Sequence, residues 1–258
     1  MIANYHSHTV RCGHAVGEER EYVENAIANG IKILGFSDHA PYPEYTYNPN
    51  ARMRVLQSDV YSYFKILCDL KKEYEKDIEI HIGFEAEYFP KYYGEFKEFL
   101  KGYPLEYFIL GQHFAPNELE GEYTGHKFDD PAKMVQYADI CIEAFNTGDF
   151  TYWAHPDIVR FEGDREFYKE QMKRVLKVCK EKNIPVEFNL LGFETNRWYP
   201  CDTYLELVKE VGNDIVLGSD AHEPSKCGNT EIAAAGEKKL SEFGLVPIET
   251  VNLIQVKL

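Results

Sequence analysis

The chain alternates between short apolar runs and longer amphipathic stretches along most of its 258 residues. Seven runs have the length and the β-branched or aromatic content of buried strands: IANYH, IKILGFS, IEIHIGFEAEYF, YFILGQH, FTYWAHP, PVEFNLL and DIVLGSD. Stretches with helical spacing accompany them, over 18–29, 58–76, 94–101, 131–147, 164–182, 202–212 and 231–243. This repeated strand–helix order predicts a parallel α/β sheet, either open or closed into a barrel.

The chain also lacks the marks of a domain boundary. No Pro- or Ser-rich stretch separates one part from another, so the sequence predicts a single domain over 1–258. The apolar fraction of 44% is enough, at this length, for a sizeable core. The longest irregular segment is 41–57, and we expect it to cover or contact a substrate.

Side chains that can bind metal or phosphate recur at the ends of the predicted strands. In chain order they are His6 and His8, Asp38 and His39, Glu85, His113, His155, Asn189, and Asp220 and His222. One such position follows the next after about 30–45 residues, the length of a βα unit. Because the carboxyl ends of parallel strands meet on one face, we expect these side chains to converge. His6 and His8 have the i, i+2 spacing that points two strand residues to the same side, as do Asp220 and His222.

The donor types favour a metal site. An isolated H-x-H pair or strand-end histidine is more often structural, but recurrence over seven strands favours ligation. Imidazole and carboxylate suit Zn, Fe or Mn, whereas a thiolate site would need cysteine pairs, and the six cysteines are scattered. His81 lies deeper in its strand, so we expect a core role for it. We expect His126, in a glycine-containing loop, to be solvated.

The net charge restricts the partners. It is −15, from 43 acidic and 28 basic residues, which disfavours nucleic acid and anionic membranes. No apolar run of 18 residues and no basic start with an apolar run behind it occurs. With the scattered cysteines, these features predict a cytoplasmic protein that acts on a small molecule.

Six motifs in order, HSHT, GFSDH, GFEAEY, GQH, AHPD and GSDAH, resemble those of the PHP (polymerase and histidinol phosphatase) superfamily. The resemblance covers nearly the whole chain. HSHTVRCGHA followed by LGFSDHAPYP is similar in particular to the standalone histidinol-phosphate phosphatases of that superfamily. The resemblance implies a distorted (β/α)7 TIM-like barrel, which agrees with the seven predicted strands.

The resemblance also implies three divalent metal ions (Zn, Fe or Mn) and their ligands. The first ion would be held by His6, His8, Glu85 and Asp220, the second by Glu85, His113 and His155, and the third by His14, His39 and His222. Asp220, His222 and Glu85 would be the catalytic residues. A metal-bridging hydroxide would attack phosphorus, with Asp220 orienting it or taking its proton.

Arginine side chains are the expected phosphate contacts, because the guanidinium fork matches phosphate oxygens. Arg160 and Arg197 follow predicted strand ends, and the resemblance supports both. Arg11 is a weaker candidate. Tyr42 and Tyr45 are candidates for contacts to the rest of the substrate, although either could instead pack the loop.

The function expected from the resemblance is hydrolysis of L-histidinol phosphate, a phosphate monoester, to L-histidinol and phosphate in histidine biosynthesis. One alternative is a PHP phosphodiesterase or exonuclease acting on nucleotides or single-stranded nucleic acid ends. Another is a PHP module that binds metal only as a scaffold. The motifs of P-loop, dinucleotide-binding, zincin and serine-hydrolase sites do not occur.

Overall fold

The computed structural model describes residues 1–48, 51 and 53–258. Within these ranges a parallel sheet of seven strands forms the centre, and a two-stranded antiparallel hairpin lies apart from it. The strands are β1 Ala3–Asn4, β2 Ile33–His39, β3 Glu79–Ala86, β4 Tyr107–Leu110, β5 Phe114–Ala115, β6 Glu122–Tyr123, β7 Phe150–Trp153, β8 Val186–Asn189 and β9 Ile215–Gly218. The helices are α1 Glu19–Ala28, α2 Val60–Glu73, α3 Tyr93–Phe99, α4 Pro131–Thr147, α5 Arg165–Glu181, α6 Leu190–Glu194, α7 Asp202–Val211 and α8 Thr230–Glu242.

The sheet closes into a distorted barrel. Its strand order is β1-β2-β3-β4-β7-β8-β9. The first and last strands meet just beyond their ends, where Ser7 and Ala221 form a parallel bridge. The His8 amide donates to the Ala221 carbonyl at 2.9 Å, and the Ala221 amide to the His6 carbonyl at 3.2 Å. The barrel expected from the resemblance is therefore confirmed.

Side-chain alternation along the strands builds two apolar clusters. On β4, Phe108 and Leu110 face the large core beneath the helices, whereas Tyr107 and Ile109 face the barrel interior. The interior cluster comprises Ala3, Tyr5, Tyr107, Ile109, Tyr152, Ala154, Val216 and Val251. A Cβ at Gly83 would overlap the Tyr107 ring, so this glycine makes room for the interior tyrosine. The cluster fills the middle of the barrel and leaves the polar residues to its ends.

All seven predicted helices are confirmed, with ends within three residues of the expected positions. Local sequence explains several of these ends. The Asp130 side chain accepts the Ala132 amide at 2.8 Å at the start of α4, and Gly148 ends that helix with a φ of 73°. No helix in the described ranges is long and apolar enough to cross a bilayer.

Two elements differ from the sequence expectation. The β5–β6 hairpin was not predicted, and α6 begins at Leu190, where a continuing strand was expected. The strand ends because the Asn189 side chain accepts the Gly192 amide at 2.8 Å, which caps a new helix.

The segment 41–57 is held against the barrel by its own side chains; its residues 49, 50 and 52 lie outside the described ranges. Tyr42 is fully buried, stacks on Phe96 at 4.4 Å and donates to the Glu87 carbonyl at 2.7 Å. It therefore packs the segment and is not available to a substrate. Tyr45 is exposed and bonds Glu95.

Candidate metal centre and active site

The strand ends bring the nine predicted ligands to one face of the barrel. His39 is the last residue of β2 and pairs in register with Glu85 of β3. His6 and His8 follow β1, and His113 and His155 follow β4 and β7. Asp220 and His222 follow β9, and His14 follows the 3-10 turn Val10–Cys12. Each of the nine residues belongs to at least one group of three whose ligand atoms lie within 4.8 Å of one another.

Glu85 lies at the centre of this cluster and is 1% exposed. Five imidazoles approach its carboxylate. Oε2 lies 3.5 Å from His6 Nε2, 3.6 Å from His8 Nε2 and 3.1 Å from His39 Nδ1, while Oε1 lies 3.3 Å from His113 Nε2 and 2.6 Å from His155 Nε2. A Cβ at Gly111 would overlap Oε1, so the glycine of the GQH motif leaves space for the carboxylate.

Asp220 joins the cluster from the opposite side of the barrel. Its Oδ1 lies 3.1 Å from His8 Nε2 and 3.4 Å from His222 Nδ1. The backbone φ of Asp220 is 48° and that of His155 is 29°, both in the left-handed region that non-glycine residues seldom adopt. Two donors are thus placed by unfavourable backbone conformations that the surrounding structure must maintain.

His14, His39 and His222 form a separate group, as the resemblance implied for a third ion. The rings of His14 and His222 lie 4.6 Å apart and those of His14 and His39 5.2 Å apart. Cys12, which was not predicted as a ligand, forms a further group with His8 and His222. The division of the nine donors among individual ions stays a prediction.

The buried nitrogen and oxygen atoms of the cluster that have no hydrogen-bond partner fit a bound cation. Buried polar atoms normally have a hydrogen-bond partner, and leaving one without a partner costs about 1–3 kcal/mol. Five buried atoms of the cluster have none: His6 Nε2, His8 Nε2, Glu85 Oε2, His155 Nδ1 and His222 Nε2. Imidazole nitrogens and carboxylate oxygens in this number suit divalent Zn, Fe or Mn.

The charges of the cluster also fit metal binding. Burial alone would raise the pKa of Glu85, but the imidazoles around it, His113 foremost, hold that pKa well below its usual value. Burial and the neighbouring His8 lower the pKa of His222 to about 3, so this imidazole is neutral and able to ligate. Burial would lower the pKa of His6 too, but nearby carboxylates outweigh it and raise the pKa to about 10, so a cation that binds this imidazole must displace a proton from it.

A second set of carboxylates lies behind the histidines. Glu187 Oε1 is 2.8 Å from His6 Nδ1, Asp38 Oδ1 is 3.4 Å from His8 Nδ1, and Glu87 Oε1 is 3.4 Å from His113 Nδ1. A carboxylate behind a metal-binding imidazole fixes the tautomer and the ring orientation. The sequence analysis missed Glu187 and Glu87. The sequence feature that could have identified them is an i, i+2 spacing, from Glu187 to Asn189 and from Glu85 to Glu87.

A cavity of about 350 Å³ opens above the cluster. Beyond the histidines and acids, its lining residues are Met53, Tyr123, Ile158, Leu191, Arg197 and Tyr199. Arg197 donates from Nη1 to the Tyr199 hydroxyl at 2.9 Å. The structure therefore places the predicted phosphate contact Arg197 beside the cluster, and adds Tyr199 and Tyr123, which the sequence did not indicate.

The other arginine candidates lie outside this cavity. The Arg160 guanidinium lies 4.7 Å from the Trp198 ring centre and its Nε 3.5 Å from Glu162, beside a neighbouring depression. The role of Arg160 in phosphate binding stays a prediction. Arg11 bonds Glu19 and donates to Ser62 Oγ at 3.2 Å.

Comparison with known proteins relates the chain to one family. A sequence model of the PHP domain matches residues 4–190. A probable histidinol-phosphatase of Deinococcus radiodurans is 26% identical over 241 residues, which cover 88% of each chain. The histidinol-phosphatase of Bacillus subtilis is 24% identical over 252 residues, which cover 86% of this chain and 94% of the relative.

A solved structure has the same fold. The histidinol phosphate phosphatase of Lactococcus lactis, complexed with zinc, L-histidinol and phosphate, superposes with a TM-score of 0.71. The identity is 20%, and the match covers 99% of this chain and 98% of the other.

Proposed function

Since the chain belongs to the PHP domain family, we propose that it is a metal-dependent phosphatase that hydrolyses L-histidinol phosphate to L-histidinol and phosphate. The observation that supports this most is the cluster of nine donors around Glu85, beneath a cavity lined by Arg197. Relatives named histidinol-phosphatase match along most of the chain, which favours the monoester over the phosphodiester alternative. The reaction belongs to histidine biosynthesis, which we place in the cytoplasm.

We assign three divalent ions to the cluster. His6, His8, Glu85 and Asp220 would hold the first. His113 and His155 would hold the second together with Glu85, and His14, His39 and His222 would hold the third. Divalent ions supply two effects in phosphate ester hydrolysis: they acidify a water molecule and they neutralise charge on the phosphoryl oxygens.

Arg197 would bind the phosphoryl group. Its guanidinium can only donate, and one donor already bonds the Tyr199 hydroxyl at 2.9 Å. This bond fixes the guanidinium at the cavity wall and leaves its other N–H groups for phosphate oxygens. Because the Tyr199 hydroxyl accepts from Arg197, its own hydrogen can be donated to a substrate oxygen.

Asp220 would accept the proton of the attacking water. Burial would raise its pKa, but His6 and the other imidazoles outweigh this and hold the pKa well below the usual value, so the group is an ionised acceptor. Asp220 lines the cavity, and Asn189 Nδ2 holds its Oδ2 at 3.1 Å. Glu85 and His222 would act by holding the ions.

The remaining wall of the cavity suits an imidazole ring. Met53, Ile158 and Leu191 are apolar, and Tyr123 lies parallel to the His113 ring at a centroid distance of 6.4 Å. An aromatic substrate side chain would pack between such groups. With a net charge of −15 and a cavity of about 350 Å³, we propose a small-molecule substrate, with neither nucleic acid nor a membrane as partner.

Phosphate release tests the proposal. We would compare L-histidinol phosphate with a nitrophenyl phosphodiester, before and after a chelator and after return of Zn²⁺, Mn²⁺ or Fe²⁺. We expect fast release from the monoester, loss with the chelator and recovery with metal. Faster hydrolysis of the diester would overturn the substrate assignment, and release that a chelator leaves unchanged would overturn the metal dependence.

A further inference from the structure

We propose that Glu187 is a positioning residue whose single carboxylate orders three of the assigned metal ligands and so sets the metal affinity of the centre. The proposal rests on the metal centre proposed above. Glu187 is the second residue of β8 and is fully buried. It is not in any group of three mutually close ligand atoms among the described residues, so it acts from behind the ligands.

The first ligand that Glu187 orders is His6. Oε1 lies 2.8 Å from His6 Nδ1, and both side chains are inaccessible to solvent. In the neutral imidazole that a metal ion requires, Nδ1 donates the one ring proton to this carboxylate, and Nε2 presents its lone pair. That Nε2 is one of the unpartnered atoms, 3.5 Å from both Glu85 and Asp220.

The second ligand is His155, which Glu187 holds by the backbone. Oε2 accepts the His155 amide at 2.8 Å. With a φ of 29°, His155 is in a conformation that carries a free-energy cost at a non-glycine residue. The charge-assisted bond to Oε2 offsets this cost and directs the imidazole towards Glu85 Oε1, 2.6 Å from its Nε2.

The third ligand, Asp220, is reached through Asn189. The Asn189 amide nitrogen donates to Glu187 Oε2 at 3.0 Å and to Asp220 Oδ2 at 3.1 Å. An amide nitrogen has two hydrogens, one for each carboxylate. Asp220 also has a left-handed φ, 48°, so this link restrains a second unfavourable conformation.

The neighbouring strand provides independent support. A Cβ at Gly218 of β9 would overlap Glu187 Oε1, just as one at Gly111 would overlap Glu85 Oε1. The barrel therefore leaves space for two buried carboxylates, of which Glu85 is the assigned bridging ligand. Glu187 joins β1, β7 and β9 through the ligands that follow these strands.

Replacement of Glu187 by glutamine tests the proposal. Glutamine has nearly the same shape but only one acceptor oxygen, so it cannot accept from both His6 Nδ1 and the His155 amide. Loss of a carboxylate behind a metal ligand typically weakens metal binding about 10- to 100-fold. We expect that loss of affinity for Zn²⁺ and Mn²⁺ in E187Q, measured by competition with a fluorescent chelator well below the unfolding temperature.

Two further variants separate positioning from stability. Tyr152→Phe removes only the 3.4 Å contact of a tyrosine hydroxyl to Oε1, and we expect unchanged metal affinity. Asn189→Ala removes the link to Asp220 together with the cap of α6, leaves both bonds from Glu187 to His6 and His155, and should weaken binding less than E187Q does. A Zn²⁺ affinity of E187Q equal to that of the wild type would overturn the proposal, even if its Tm fell. Should E187Q not fold, an unchanged affinity in N189A would overturn it.

These measurements need no substrate. If the wild type fails to hydrolyse L-histidinol phosphate while E187Q still weakens Zn²⁺ binding, the proposed function is wrong and the role of Glu187 stands. If the wild type is active and E187Q binds metal normally, only the role of Glu187 is wrong.

Discussion

Both ends of the barrel interior contain histidines and carboxylates, but the two ends differ in how these side chains are paired. Alternate residues of β3 face inward, with His81 towards the amino end and Glu85 towards the carboxyl end. His81 Nδ1 forms a hydrogen bond of 3.1 Å with Glu106, and its Nε2 lies 3.0 Å from the exposed carboxylate of Glu79. The cluster around Glu85 instead has five buried nitrogen and oxygen atoms without a hydrogen-bond partner. Histidine beside carboxylate is thus not itself a site; the carboxyl end differs because five such buried atoms lie together in one cluster.

The two ends also differ in how their carboxylates are neutralised. Lys71 Nζ lies 2.7 and 2.8 Å from the two oxygens of Glu106, so the protein supplies the positive charge at the amino end. In the described part of the chain, no lysine or arginine forms an ion pair with Glu85, Asp220 or Glu187. Protons on the imidazoles or bound cations must supply the charge there.

The largest effect should follow Glu85→Gln. This substitution removes the charge that five imidazoles contact and, in our assignment, the bridge between two ions. We expect phosphate release to fall about a thousandfold, of order 4 kcal/mol in the activation barrier. The matched control at the other end is Glu106→Gln, which should leave the rate and the metal content of purified protein unchanged. Comparable losses in both variants would show that the two ends do not differ in function.

Removal of metal should have the next largest effect. Binding at a hundredfold excess over Kd stabilises the folded state by about 2.7 kcal/mol. For a chain of this size that corresponds to roughly 5–10 °C in Tm. We expect Tm to fall by this amount with a chelator and to recover with Zn²⁺ or Mn²⁺, as measured by thermal unfolding. His81→Asn should lower Tm equally with and without metal, and a chelator effect that disappears in this variant would place an ion at the wrong end.

The sequence could predict features that depend on residues close together in the chain, but not those that depend on distant residues. Strand–helix alternation and local caps depend on residues close together in the chain, and seven of the eight described α-helices and all seven strands of the sheet were predicted. Eight of the nine donors lie at or just beyond a strand end, where the sequence analysis expected them, whereas His14 was expected only from the resemblance. Glu187 could not be predicted, because its role depends on His6, 181 residues away. His81 was assigned to the core from its depth in β3; it is partly buried at the amino end, beside Glu106 and the exposed Glu79.

Side-chain direction was less predictable than position along the strands. Arg160 and Arg197 both follow strand ends, but only Arg197 lines the cavity, since Arg160 is drawn to the Trp198 ring. Tyr42 follows the second strand and packs inward on Phe96. The turn at Asn189 into α6 depends on a side-chain cap that competes with continuation of the strand.

Replacement of Arg197, which lines the cavity at the carboxyl end, should have the third largest effect. Hydrogen bonds to charged groups contribute about 1.5–3 kcal/mol, so Arg197→Gln should lower kcat/KM about 10- to 100-fold. Metal affinity should not change, because Arg197 does not contact a ligand. Arg160→Gln is the comparison, and a larger loss there than in Arg197→Gln would show that the phosphate binds nearer Trp198 than we propose.

The smallest effect belongs to Glu106 at the amino end. Burial would raise its pKa, but hydrogen bonds from His81, Lys71 and the Ile82 amide outweigh burial and lower it to about 2, from an ordinary value of 4.5. A carboxyl whose pKa is depressed in the folded state stabilises the protein above the unfolded-state value, and this contribution is lost as the pH falls towards the folded-state value. Glu106→Gln should therefore lower the free energy of unfolding by about 1–2 kcal/mol at pH 7. The difference from wild type should shrink between pH 4.5 and pH 2, as measured by urea unfolding of the metal-free proteins. A difference independent of pH would mean that Glu106 stabilises the fold by packing. The charge of Glu106 at the amino end would then not be balanced by the protein's own Lys71 and His81, as we argue from the structure.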